Sequence, residues 1–388
     1  MSKVAILGAR GIPACYSGYD TLVEEVATGL VSCFSDKVIV YCRSGYYKAR
    51  PSSWRGVELV YLPCPRGIKA AESLIHSLIS SLHVLTTGAD VVYFLDPANA
   101  PFCVLLRCLG KRIVIHTDGL GWKRRKWGPV ARRYYKAVEW VCAKAANALV
   151  TDNPAMQTYY QKEYKCDTLL ISYGAATRYG HDNTIYAELG VGPKRYILVV
   201  ARLEPENNVD LIIEQYALSN VNIPLVIVGN APYGPQYLER LRRIASESVI
   251  FAGRIDDQAK LNALYAGAYL YIHGHEVGGT NPSLLRAMAS GTAPVVVNVP
   301  FNVSVIADTG RIFEKTNNSL SELIRCLVQD EDSVQRYGAR AKTRTDEEYR
   351  WDTVVSLHHK MFSQIIAGSR CKQPEILQGS SSVPRAEK

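Results

Sequence analysis

His275-Glu276-Val277-Gly278-Gly279-Thr280-Asn281-Pro282-Ser283-Leu284-Leu285-Arg286-Ala287-Met288-Ala289-Ser290-Gly291 decides how this chain folds. Ala268 to His273, just before it, is an apolar run of strand length. After Pro282, the residues Leu284, Leu285, Ala287 and Met288 recur at helical spacing as far as Gly291, a helix stop. A glycine pair therefore falls in the turn between a strand and a helix start. Glycine lets a ligand approach the backbone closely, and the unbonded N–H groups and dipole of a helix start favour an anion, most naturally a phosphate. Gly-Gly followed by Asn-Pro is also good turn chemistry in any α/β protein, so phosphate binding and plain turn formation both stay open here.

Upstream of this turn, apolar segments at 196–200, 225–228 and 249–251 alternate with helical spacing at 208–217, 235–244 and 258–266. An earlier series does the same. Apolar runs at 3–7, 37–41, 57–62, 91–95, 112–115, 148–151 and 167–171 are separated by helical stretches, among them 19–30, 70–85 and 100–109. Such βαβ alternation predicts an α/β protein with mostly parallel sheets covered on both faces. Two domains are expected, 1–175 and 195–345, joined by a turn-rich linker at 176–194. A closing helix is expected at 346–366, and a Ser/Gly/Gln/Pro-rich tail at 367–388 is expected to be disordered. Gly8-Ala9-Arg10-Gly11 invites a dinucleotide reading, but Gly-x-Gly-x-x-Gly is absent and the second strand ends in Cys42-Arg43 where an acidic ribose ligand is wanted.

The 388 residues, 47% hydrophobic and 21% charged, describe a folded chain of two or three domains. No apolar run reaches the ~18 residues of a membrane span and no signal-peptide pattern precedes the first strand, so a cytoplasmic protein is expected. Ten cysteines are scattered without Cys-x-x-Cys or a Cys/His cluster, which predicts buried thiols and no metal site. The net charge of +9 is concentrated between Lys111 and Lys136, where Asp118 is the one acidic residue. With Trp122, Trp127, Tyr134 and Tyr135, this block fits an anionic membrane surface better than nucleic acid, the plain alternative being a solvated helix face.

Four motifs together carry a resemblance: Gly8 to Ala14 with Tyr16-Ser17-Gly18, Asp118 to Arg124 with Lys126-Trp127, Ala201 to Asn208, and Val277 to Leu285. In this order they resemble the GT-B glycosyltransferases, and more narrowly the retaining family-4 enzymes of a bacterial rhamnosyltransferase-like subgroup. The resemblance implies two Rossmann-like domains with parallel sheets facing a central cleft. It implies a nucleoside diphosphate sugar as donor, no separate cofactor, and metal-independent stabilisation of the departing diphosphate. Arg202 stands where the family binds the diphosphate, and Gly278, Gly279, Thr280, Asn281 and Ser283 would add donors from the helix start. A surface ion pair with Glu204 or Glu206 is the plain alternative for Arg202. On the acceptor side the resemblance places Gly18, Arg10, Trp122 and Lys123. His116 and Asp118 follow a parallel strand at its carboxyl end, where such sheets place ligands, and Asp152 is a similar candidate. Asp118 would position or deprotonate an acceptor hydroxyl or stabilise an oxocarbenium-like sugar; helix capping is its plain alternative. His275 is expected to be structural.

Two positions depart from the family pattern. Its pair of glutamates eight apart is replaced by Gly278 and Arg286, and a lysine that partners the diphosphate arginine is replaced by Asn207. One hypothesis is that Arg286 supplies the charge missing at Asn207; its rival is a decayed donor site. The expected activity is transfer of a hexose or deoxyhexose, L-rhamnose among the candidates, to a glycan or lipid-linked hydroxyl in cell-surface polysaccharide synthesis, at the inner face of the membrane. A nucleotide-sugar epimerase and a weakly active or inactive sugar-nucleotide-binding homologue are the alternatives.

Overall fold

The computed structural model describes residues 2–369 apart from 15–17, 65–68, 118, 125–127, 176–179, 232–233 and 317, and the side chains of 69–71 are likewise outside it. Its first half contains β1 (Lys3–Leu7), α1 (Gly18–Phe34), β2 (Lys37–Arg43), β3 (Ser53–Trp54), β4 (Val57–Leu62), α2 (Lys69–Val84) and β5 (Val91–Leu95). There follow α3 (Ala100–Cys108), β6 (Arg112–His116), α4 (Pro129–Ala145), β7 (Ala148–Thr151), α5 (Pro154–Tyr164) and β8 (Leu169–Leu170). The strands stand in the order β3-β4-β2-β1-β5-β6-β7-β8, with only β3 antiparallel to its neighbour.

The second half comprises α6 (Thr184–Leu189), β9 (Ile197–Val200), α7 (Val209–Ser219), β10 (Leu225–Val228), α8 (Pro235–Ile244), β11 (Val249–Gly253) and α9 (Gln258–Gly267). It continues with β12 (Leu270–His273), α10 (Pro282–Ala289), β13 (Ala293–Val297), α11 (Pro300–Ile306), β14 (Arg311–Phe313), α12 (Ser319–Gln329), α13 (Glu331–Glu348) and α14 (Trp351–Ile366). Its strands run parallel in the order β11-β10-β9-β12-β13-β14. Val4 to Leu7 and Leu270 to His273 are buried at every residue, as parallel strands covered by helices on both faces must be.

Strand order reverses where β1 lies between β2 and β5, and again where β9 lies between β10 and β12. Open parallel sheets bind ligands outside the strand carboxyl ends at such places. In the second sheet those ends carry Arg202, after β9, and the Gly278-Gly279 turn, after β12.

Three segments differ from the sequence-based expectation. The supposed linker holds α6, started by Asp182, whose Oδ1 accepts from the Thr184 N–H, and stopped by Gly190 at φ +66°. The alternation also runs on past Gly291 through β13 and β14. The closing helix is α14, which starts at Trp351 and not at 346: residues 346–348 end α13, a helix that begins at the Asp330 cap and buries Val334, Ala341 and Thr345, and the chain breaks at 349–350. Residues 370–388 of the expected tail lie outside the described residues.

Helix α14 returns to the first half and lies on α1. Gly29 has no room for a side chain there, since a Cβ would sit 2.5 Å from Val355. Phe34 stacks on His359 at 4.0 Å, and His359 Nδ1 meets Asp36 Oδ2 at 2.7 Å. The two passages of chain between the halves touch each other: Ala175 N–H donates to Tyr349 O at 2.7 Å, and Trp351 lies against Gly174. No described helix is long and apolar enough to cross a membrane.

Candidate functional site

Helix α10 forms because Asn281 caps it, Pro282 fixes its first turn, and Leu284, Leu285, Ala287 and Met288 are all buried. Asn281 Oδ1 accepts from the Ser283 N–H at 3.0 Å and from the Ser283 hydroxyl at 2.8 Å. Tyr271, on β12, donates to Ser283 Oγ at 2.9 Å. Two of the expected anion ligands therefore complete the cap itself. Among the described residues the backbone N–H groups of Gly278 and Gly279 donate to nothing, and the two glycines line a narrow cleft shared with His275, Asn281 and Asn302.

The glycine turn is also where the first half closes on the second. Thr280 N–H donates to Asp152 Oδ2 at 3.1 Å, and its hydroxyl donates to Asp152 O at 2.6 Å. Asn153 Nδ2 and the Ser172 hydroxyl reach Thr280 Oγ1 at 3.3 and 3.2 Å. A Cβ at Gly279 would lie 2.0 Å from Asp152 Oδ1, and one at Gly119 would lie 2.2 Å from Gly278 Cα. Gly18 is packed the same way, its missing Cβ falling 2.9 Å from Pro282 Cγ. The space expected to admit an acceptor sugar at Gly18 is thus occupied by Pro282 in this closed arrangement. Asp152, named from sequence as a catalytic candidate, here binds the two halves together.

Arg202 is partly exposed beside the cleft and pairs with the buried Glu204 at 3.6 Å. Asn207 Nδ2 donates to Arg202 O at 2.7 Å, so Asn207 shapes the arginine loop and does not extend toward the cleft as a second cation would. His275 stacks on His273 at 4.2 Å; burial, then the Arg202 charge, holds it down to about 3. Arg286 turns to α9. Its Nε donates to Asn262 Oδ1 at 2.7 Å, its Nη1 to Gln258 Oε1 at 2.8 Å and its Nη2 to Gln258 O at 2.9 Å, with the guanidinium 5.3 Å from the Tyr265 ring centre.

His116 is wholly buried at the end of β6. Its Nδ1 lies 2.7 Å from the Tyr93 hydroxyl, which lies 3.1 Å from His358 Nε2 on α14, while His358 Nδ1 is 2.8 Å from Val354 O. A carbonyl only accepts, so His358 Nδ1 carries a proton. Burial holds His358 down to about 4 and, with His358 beside it, His116 to about 3, so both rings are neutral. Tyr93 must then donate to His358 and accept from His116 Nδ1, which leaves His116 Nε2 as a lone pair, unpartnered among the described residues. Tyr19 and Tyr173 stand edge-on to this ring at 5.7 and 6.1 Å.

Asp118 lies outside the described residues. Arg10 pairs with Asp20 at 3.8 Å and lies over Tyr46. Trp122 faces α5 instead of the cleft, donating to the Tyr159 hydroxyl at 3.2 Å and holding Lys136 against its ring at 4.4 Å; Lys123 Nζ lies 5.4 Å from the centre of the same ring. A second cleft is lined by Asp96, Gly119, Arg124, Tyr135 and Glu139 at the ends of β5 and β6. Asp96 is held at φ +75° by its own cap to Ala98, and burial raises the Glu139 carboxyl. Sequence reasoning missed Gly119, Tyr93 and His358, because each matters through a partner distant in the chain.

Residues 1–176 match the model of a domain of unknown function, DUF1972, and residues 183–344 match that of glycosyl transferases group 1. The second half is a glycosyltransferase group 1 domain. The chain is 29% identical over 183 residues to an uncharacterized glycosyltransferase of Methanocaldococcus jannaschii, covering 43% of this chain and 44% of that protein. It is 26% identical over 187 residues to the N-acetyl-alpha-D-glucosaminyl L-malate synthase of Bacillus anthracis, covering 46% and 48%. The chain spans less than half the length of these curated relatives. Across 95% of this chain and 100% of the other, the fold matches a sucrose-phosphate synthase of Thermosynechococcus elongatus, with a TM-score of 0.80 at 17% identity. HepE of Anabaena, solved with UDP, matches over 94% and 100% with a TM-score of 0.71 at 14% identity. The architecture is GT-B.

Proposed function

We propose that this protein is a retaining glycosyltransferase that moves a hexose or deoxyhexose, with L-rhamnose among the candidates, from a nucleoside diphosphate sugar to a hydroxyl of a glycan or lipid-linked acceptor. The observation that carries the proposal is the Gly278-Gly279 turn at the start of α10. It belongs to a group 1 domain, its two glycines line a cleft, and the first half closes directly on it. HepE has also been solved with UDP-glucose, which supports a nucleotide-sugar donor here.

In this proposal the diphosphate lies against Gly278 and Gly279, with Arg202 leaving Glu204 to meet it. The fixed N–H donors and the arginine stabilise the charge that develops as the nucleoside diphosphate departs. Asn207 holds the Arg202 loop in place. Arg286 supports the donor site from behind by fastening α10 to α9. His116 Nε2 accepts a hydrogen bond from a sugar hydroxyl once the halves part to admit substrates, and Asp118 is the carboxylate beside the transferred sugar. Association with the inner membrane face, in polysaccharide synthesis, follows from a lipid-linked acceptor.

The test incubates the protein with a panel of nucleotide sugars, with and without lipid-linked acceptors and with a chelator. Release of nucleoside diphosphate that requires acceptor and survives chelation is expected. Conversion of the donor sugar without acceptor would instead identify an epimerase, and binding without turnover a sugar-nucleotide-binding homologue.

A further inference from the structure

Among the described residues, thirteen large apolar side chains are well exposed, and ten of them lie together: four on α2, three on or just after α3, and three on α4. Helix α3 packs against α2 on one side and α4 on the other, so the three make one face of the first half. On α2, Leu74, Leu78 and Leu82 are spaced four apart and form a single stripe. Leu109 follows α3 at 53% exposure. On α4, Val130 is 81% and Trp140 55% exposed. A clustered apolar surface of this kind marks an interaction site, unlike apolar residues scattered singly.

The charges on the same helices identify the partner. Helix α3 has no acidic residue. Glu72 of α2 is buried against Arg43 at 3.5 Å, and Glu139 of α4 is buried under the Tyr159 and Tyr164 hydroxyls. Arg107, Arg132, Arg133 and Lys144 are exposed. The three helices therefore show solvent apolar and cationic side chains and no carboxylate. A second copy of this chain would bring like charges face to face, and nucleic acid would find aliphatic leucines where it needs stacking platforms. An anionic lipid surface satisfies both components, the cations meeting headgroups and the leucines and Trp140 entering the interface.

We infer that the α2-α3-α4 face is a docking surface for an anionic bilayer. The inference deepens the lipid-linked acceptor of the proposed function and rests on that reading for its purpose. It also relocates the contact anticipated from the Lys111 to Lys136 block. Trp122 and Lys136 are turned inward on each other, while the exposed apolar stripe lies mostly on helices flanking that block. The second cleft, lined by Asp96 before α3 and by Tyr135 and Glu139 of α4, borders this face, so an acceptor held in the bilayer would have a short path to it.

The test is cosedimentation of the full chain with vesicles of phosphatidylglycerol or of phosphatidylcholine, at two ionic strengths. Binding is expected on phosphatidylglycerol only, weakened by salt. Replacing Arg107, Arg133 and Lys144 by Gln should weaken it about a hundredfold, at about fivefold per cation. The pair Leu78→Glu and Leu82→Glu should weaken it about tenfold or more, and both variants should melt as the wild type does, since all five positions are exposed. Equal binding to both lipids, binding unmoved by both variants, or a wild-type dimer abolished by the leucine pair would each overturn the inference, the last by identifying a second copy as the occupant. Vesicle binding without glycosyl transfer would sink the proposed function and leave the surface standing. Transfer without selective vesicle binding would do the reverse.

Discussion

Acidification from about pH 7 to about pH 5 is expected to remove most of this protein's stability. His76, His116, His273 and His358 are wholly buried. Burial holds His76 and His358 down to about 4, His116 and His275 to about 3 and His273 well below its usual value. In the unfolded chain each returns to about 6.5. Because the folded values are depressed, this stability is fully present above about pH 6.5 and is lost as the pH falls toward the folded values. At about pH 5 each imidazole takes up a proton on unfolding, a difference of about 2 kcal/mol, or about 10 kcal/mol for the five. Whole domains are stable by only about 5–15 kcal/mol. The window lies above the usual carboxylate range, so the histidines dominate it. Urea unfolding followed from pH 7 to pH 5 gives proton uptake directly from the slope of stability against pH, and about five protons are expected near pH 5. An uptake of one proton or fewer would refute the picture of five neutral imidazoles in the interior.

Three substitutions test the site. Gly279→Ala places a methyl carbon 2.0 Å from Asp152 Oδ1, so the halves cannot close; transfer should fall about a hundredfold while circular dichroism is unchanged, and wild-type turnover would count against closure as described. Arg286→Ala removes the link between α10 and α9 and should lower stability by about 1–3 kcal/mol in urea, with donor affinity within threefold of wild type; a large affinity loss at unchanged stability would make Arg286 a donor ligand. Tyr93→Phe breaks the chain from His358 to His116, and kcat should drop on the order of tenfold to a hundredfold with donor KM held. Nitrogen NMR of His116 should then show mixed tautomers in place of one.

Much of the fold was legible because its signals are local. Apolar runs such as Val4 to Leu7 announce strands, and Asn281, Pro282 and Gly291 announce the limits of α10. The helix at Thr184 to Leu189 carried its signals too, in Asp182 and Gly190, but the surrounding polar turns masked them. Relations between distant residues were not legible. The resemblance places Gly18 on the acceptor side and gives Gly119 no role, and nothing near either discloses that Pro282 and Gly278 occupy the space they leave. The helix over 70–85 was legible but the exposure of Leu74, Leu78 and Leu82 was not, because periodicity reveals that a helix has an apolar stripe and not whether anything covers it. The roles of Asn207 and Arg286 likewise depended on which way each side chain turned.

The contact of Ala175 with Tyr349, and of Gly174 with Trp351, has a mechanical consequence. Two covalent crossings that lie side by side act as a hinge with two pins. Such a hinge lets the halves swing apart at the glycine turn but resists sliding and twisting of one half over the other. Each closure therefore returns Asp152 to Thr280 and Gly119 to Gly278 in the same register, and the hinge lies close to the turn it guides, since Ser172, two residues before Gly174, is itself bonded to Thr280.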